Sequence, residues 1–152
     1  MIARVAIAVA TAGGVGYVPV APGTFGSMVG VLVWWLIGSS PVVQLMAIVA
    51  IFGAGVWSGG VCEVHFCRTD PGHVVIDEVA GMLITLFLNP VGWGGAFAAF
   101  LLFRIADVIK PYPANRFEAF HGGLGIMADD AMAGLYANLV LRAMLALAHR
   151  VI

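Results

Sequence analysis

Charge is what this chain has least of. Only 7 Lys and Arg and 8 Asp and Glu stand among its 152 residues, where an average soluble domain of this length carries roughly 38 charged side chains. That scarcity excludes a disordered chain and a solvated coiled coil. Neither sign dominates. A formal net charge of −1 leaves no basic surface for a phosphate backbone, so nucleic acid is excluded as a partner. Two cysteines make no disulfide framework. No linker, repeat or low-complexity tract interrupts the chain, which reads as one helical domain over 1–152.

What is abundant is apolar surface. Hydrophobic residues make up 62% of the chain, and the mean hydropathy is +1.04. Such a composition belongs to a membrane protein, or to a helical domain that hides its surface in a homo-oligomer. Five segments are apolar on every side: Gly26–Ile37, Pro41–Trp57, Val79–Leu88, Gly95–Ile105 and Ala131–Ala148. A helix without a polar face is buried in protein or lipid. A full span needs about 20 residues. The second segment reaches that length if extended to Val61, as do the fourth, if it runs to Lys110, and the fifth. The first and third are each roughly 18 Å long at helical rise, enough for half-spanning or core helices. Met1–Ala10 resembles a short signal peptide but reads better as an N-terminal helix. The expected fold is all-α: a compact bundle of about five to six apolar helices, membrane-embedded, some of them short or half-spanning.

The few charges are segregated. The turns Gly38–Pro41 and Asn89–Gly95 carry none, whereas twelve of the fifteen charges lie at the other helix ends, in 63–78 and 104–130. If the helices alternate in direction, the polar stretches 22–27, 63–78, 104–118 and 129–130 converge at one end of the bundle. The lysine and arginines there (Arg68, Arg104, Lys110, Arg116) place that end on the cytoplasmic side. Arg142 and Arg150 count against this orientation.

Four constellations carry chemistry. Arg104, Asp107 and Lys110 recur every third residue on an otherwise apolar helix ended by Pro111 and Pro113. On a wet surface this is a salt-bridge ladder; on an apolar helix, such residues mark a functional interior. Asp77-Glu78 and Asp129-Asp130 each stand at the start of an apolar helix, where capping is the plain alternative. Together with Asp107 they give five carboxylates against Arg104 and Lys110, an excess that needs protonation or a cation. Oxygen ligands favour Mg²⁺, Mn²⁺ or Ca²⁺ over zinc. A divalent metal beside Arg and Lys describes a phosphate site with an activated water, hence metal-assisted hydrolysis of a phosphate ester. Pro22–Ser27 offers backbone amides and the hydroxyls of Thr24 and Ser27 at a helix start, as phosphate contacts or simply as caps.

Other matches fail. Cys62 through Arg68-Thr69 has the spacing of a cysteine phosphatase loop but lacks its glycines. Cys62, His65, Cys67 and His73 fit no standard zinc spacing. Lys110 and Arg116 have the wrong gap for an acid-phosphatase motif, and His121 and His149 read as structural.

Four segments in order resemble the phosphatidylglycerophosphatase A family: Pro22–Ser27; Asp70-Pro71 through Asp77-Glu78; Phe103-Arg104 through Asp107 to Pro113; and Gly122–Met127 through Asp129-Asp130 to Gly134. The likeness runs from about Gly16 to Leu147. His73 and Ala106 depart from it, where an acidic and a bulkier apolar residue are usual. The resemblance implies a Mg²⁺-dependent phosphatase of the bacterial inner membrane that converts phosphatidylglycerophosphate to phosphatidylglycerol and phosphate, with the phospholipid and its membrane as partners. On charge and donor chemistry, the expected metal ligands are Asp77, Glu78, Asp129 and Asp130. Asp107 is a further ligand or the general base, Arg104 and Lys110 hold the phosphate, and Thr24 and Ser27 make outer contacts. Two alternatives stay open: the same chemistry on a soluble phosphate ester, and a non-enzymatic helical membrane protein whose acidic pairs are caps. A transporter would place its charges nearer helix midpoints.

Overall fold

The computed structural model describes residues 1–112, 114–117, 120 and 122–151. Pro113, Glu118, His121 and the side chain of His149 lie outside these residues. Among the described residues the fold is all-helical, without strands: α1 (Ile2–Ala10), α2 (Pro22–Ile37), α3 (Pro41–Phe66), α4 (Ile76–Leu86), α5 (Trp93–Ile109), a single turn α6 (Ala114–Phe117) and α7 (Gly123–Val151). Pro22 and Pro41 begin their helices at the position where a missing N–H costs nothing. Met1–Ala10 forms the expected short helix, and its C-terminal Ala10 carbonyl accepts the Val75 N–H at 2.9 Å, just before α4.

The shortest of the five apolar segments forms the centre. Nine of the eleven residues of α4 are buried, and α2, α3, α5 and α7 all pack on it. One side of α4 joins α5 and α7 through Met82, Leu86, Ala99, Phe103 and Leu141. The other joins α1, α3 and α7 through Ala10, Cys62, Ile76, Ala80 and Met127. Two helices, α3 and α7 over Gly123–Ala148, are long and apolar enough to cross a membrane. Only 22% and 28% of their apolar stretches are buried, so most of that surface faces outward, as lipid-facing helices do. The expectation that the fourth segment also spans is corrected: α5 stops at Ile109 after 17 residues, because Lys110 turns into the left-handed region (φ 46°) ahead of Pro111.

Helix alternation holds. The uncharged turns 38–41 and 88–91 line one cavity at the far end of the bundle, with Trp34 and Trp35. Arg142 also lies at this end, but as a structural group. Asn138 donates to the Ile84, Thr85 and Phe87 carbonyls at 2.8–3.0 Å, and Arg142 donates to the Phe87 carbonyl and to Asn138 Oδ1. The carbonyls that end a short helix have no water to bond in an apolar setting; α7 supplies their donors.

Candidate metal and phosphate site

The N-terminus of α4 carries Asp77 and Glu78 into the charged end of the bundle. There Asp130, from the second turn of α7, meets them: one carboxylate oxygen of each of the three lies within 4.8 Å of the others. Asp107 of α5 stands against Asp130 and acts electrostatically on Glu78. Arg104, one turn earlier, pairs with Asp107 at 2.7 Å. Segments up to 53 residues apart thus contribute to one buried group.

Close approach of the helices requires small residues at their crossings. A Cβ at Gly23 would overlap Glu78 Oε1 and lie 3.1 Å from an Arg104 guanidinium nitrogen. The first turn of α2 is therefore a wall of the site. Gly81 and Gly134, a turn beyond Glu78 and Asp130, touch each other backbone to backbone.

The placements refine the sequence reading. Asp77, Glu78 and Asp130 come together as expected. Asp129 is not in that group: its Oδ2 accepts from Lys110 Nζ at 2.7 Å, and the further carboxylate in contact with Asp130 is that of Asp107. Of the expected ladder, Arg104–Asp107 forms on α5, while Lys110 follows the last residue of the helix and reaches Asp129 of α7. Pro22–Ser27 does not precede α2 but forms its first turns. Thr24 is half-buried there. Ser27 is fully buried and its hydroxyl donates to the Gly23 carbonyl at 2.9 Å, which corrects its expected role as an outer contact. Cys62 is buried within α3 and is no nucleophile on a loop. Among the described residues, Asp77, Glu78 and Asp130 are the one His, Cys, Asp and Glu group close enough to hold a metal. Sequence reasoning missed the structural part of Gly23, Gly81 and Gly134. The available signal was a glycine three or four residues after each acidic pair.

The donors suit a hard divalent cation. All are oxygens, and Asp77 Oδ1, Glu78 Oε2 and Asp130 Oδ2 are buried with no hydrogen-bond partner. Burial pushes the Asp77 carboxyl well above its usual range, and the charges of Glu78, Asp130 and Asp70 push it further. Burial also raises Glu78, opposed by its contact with Asp77; Asp107 adds to the rise and Arg104 opposes it. A carboxyl raised in the folded state binds its proton more tightly there than when unfolded. Its contribution to stability is complete below the unfolded carboxylate range near pH 4 and is lost as pH climbs through the raised folded value. With divalent ions chelated, the melting temperature in detergent should therefore fall as pH rises above about 4. Added Mg²⁺ should recover it, by more at pH 8 than at pH 5. Thermal melts across this pH series check the result; a Mg²⁺ effect that shrinks with rising pH would contradict the site.

Comparison with known proteins finds relatives over most of the chain. A family model described as phosphatidylglycerophosphatase A matches residues 8–145. Phosphatidylglycerophosphatase A of Escherichia coli K12 is 37% identical over 132 residues, covering 80% of this chain and 73% of its own. That of Haemophilus influenzae is 36% identical over 135 residues, covering 84% and 80%. A Bacteroides thetaiotaomicron protein named "Putative phosphatidylinositol-3-phosphatase" is 35% identical over 144 residues, covering 89% and 90%. No solved structure matches.

Proposed function

This chain belongs to the phosphatidylglycerophosphatase A family, and from that premise we infer that it hydrolyses the terminal phosphomonoester of phosphatidylglycerophosphate, releasing phosphatidylglycerol and phosphate. The observation that carries the reading is the buried meeting of Asp77, Glu78 and Asp130 beside Arg104 and Asp107. Caps at separate helix ends have no reason to share one small volume, whereas a phosphate site needs both the carboxylates and the cation.

Asp77, Glu78 and Asp130 would hold Mg²⁺, with Asp107 at their edge. A divalent ion there supplies Lewis-acid polarisation of the phosphoryl group and of a water molecule. The chain's own groups do the rest. Arg104 binds the phosphoryl oxygens and offsets charge as the phosphorus–oxygen ester bond breaks. Asp107, held by Arg104, accepts the proton of the attacking water. The water oxygen bonds to phosphorus as the phosphorus–oxygen bond to the glycerol breaks, and the glycerol oxygen takes up the proton that Asp107 accepted, leaving as the free hydroxyl of phosphatidylglycerol. Lys110, paired with Asp129, adds positive charge at the rim, and the half-buried Thr24 offers a hydroxyl from the first turn of α2.

The apolar exterior of α3 and α7 suits a two-tailed substrate, whose removal from a bilayer costs about 0.8 kcal/mol per exposed CH₂. We place the protein in the bacterial inner membrane with its charged end at the cytoplasmic face. Arg68, Arg104, Lys110 and Arg116 support that orientation, and Arg142, which caps α4, no longer counts against it.

The test is phosphate release by the purified protein in mixed micelles. Phosphatidylglycerophosphate with Mg²⁺ should be hydrolysed, a chelator should abolish release, and water-soluble monoesters should be poor substrates. Full activity in chelator would remove the metal, and equal turnover of soluble esters would remove the lipid. Phosphatidylinositol 3-phosphate belongs in the same assay, because the Bacteroides relative's name points to it.

A further inference from the structure

Beside the acidic group lies a second cavity, of about 380 Å³, lined by Tyr17, Pro22, Phe66, Arg68 and His73 among others. It is an open groove, with Tyr17, Phe66, Arg68 and His73 all exposed. His73 Nδ1 lies 3.3 Å from the Gly16 carbonyl oxygen, and its ring packs between Tyr17, with centroids 5.0 Å apart, and Phe66, at 6.2 Å. Arg68 belongs to neither ion pair of the phosphate site and has no ion-pair partner among the described residues. Arg68 is exposed at this groove, so its guanidinium is open to an anionic ligand.

The cavity and the acidic group share a wall. Pro22 lines the cavity, while the next residue, Gly23, abuts Glu78 and Arg104; successive Cα atoms are about 3.8 Å apart. A second link is Asp70, two residues after Arg68, whose charge acts on Asp77. A ligand bridging the two would need a phosphomonoester at Arg104 and a second anion at Arg68.

We propose that Arg68, in the cavity walled by Tyr17, Phe66 and His73, binds the internal phosphodiester of the lipid substrate, so that the site selects lipids whose cleaved monoester is joined to the tails through a phosphodiester. This rests on the lipid-phosphatase reading above. Arginine suits the task because its planar fork can donate two hydrogen bonds to one phosphate. The aromatic walls leave the linker between the two phosphates an apolar surface to lie on. Tyr17 is half exposed, so the cavity opens at the edge of the bundle where a lipid can enter.

The experiment compares the parent with Arg68→Gln and Arg68→Lys on two lipids in mixed micelles. Phosphatidylglycerophosphate has the internal phosphodiester; phosphatidic acid, whose monoester sits directly on the diacylglycerol, does not. Arg68→Gln should lower kcat/KM at least tenfold on the first and less than threefold on the second, with Arg68→Lys between parent and Gln. A second arm measures binding of phosphatidylglycerol, which has the diester and no monoester, in detergent micelles. There Arg68→Gln should weaken binding at least tenfold. Equal losses on the two lipids, or equal phosphatidylglycerol affinity, would overturn the proposal. A parent that cleaves neither lipid would defeat the phosphatase reading instead, and the binding arm would then decide the subsite alone.

Discussion

Asp130→Asn is expected to lower phosphate release about a hundred- to a thousandfold, the loss that follows when one charged partner is withdrawn from a preorganised site. The amide keeps the shape of the carboxylate and removes its charge. Asp130 is one of the three side chains whose oxygens lie within 4.8 Å of one another, and its Oδ2 is buried without a hydrogen-bond partner. Far-UV circular dichroism should show unchanged helix content. In chelator the variant should melt above the parent, since one of several crowded buried charges is gone. The neighbouring Asp129→Asn is the contrast. Asp129 holds Lys110 at 2.7 Å and acts through it, so its loss should cost only about ten- to a hundredfold. Single-turnover and steady-state assays of both variants check the order. Equal losses, or a larger loss at Asp129, would return Asp129 to the metal and undo the assignment made from the structure.

Gly134→Ala adds one methyl group, four residues from Asp130, and should disable the enzyme without touching any charged atom. The added Cβ would overlap the Gly81 carbonyl oxygen and stand 3.1 Å from its Cα. Both are backbone atoms of the central helix, so no side chain can swing aside. The helices α4 and α7 must separate, and the separation falls one turn from where Asp77 and Glu78 on α4 face Asp130 on α7. Overpacking of this kind costs about 1–3 kcal/mol of stability. A displacement near 1 Å at reacting groups costs on the order of a hundredfold in rate. The measurements are the detergent melting temperature and kcat with saturating Mg²⁺. A variant with parental stability and turnover would mean that the crossing has slack, and that the position of Gly134 does not set the spacing of the carboxylates.

Much of this protein is decided by sequence alone. Segments apolar on every side dictate helices with no wet face, and twelve of fifteen charges gathered at one set of helix ends dictate a polar pole and an apolar body. Those two facts, with alternation of direction, were enough to bring Asp77, Glu78, Asp107 and Asp130 to the same end. Tertiary structure decided the partners within that pole. Adjacent residues such as Asp129 and Asp130 project about 100° apart on a helix, and composition cannot tell which of them faces α4 and which faces Lys110. It also decided that the shortest apolar segment is the centre, because α4's place depends on Gly81 and Gly134 letting backbones approach, on Gly23 leaving room for the Glu78 side chain, and on Asn138 and Arg142 donating to its terminal carbonyls. Both depend on distances between chain segments far apart in sequence, which no local pattern of residues encodes.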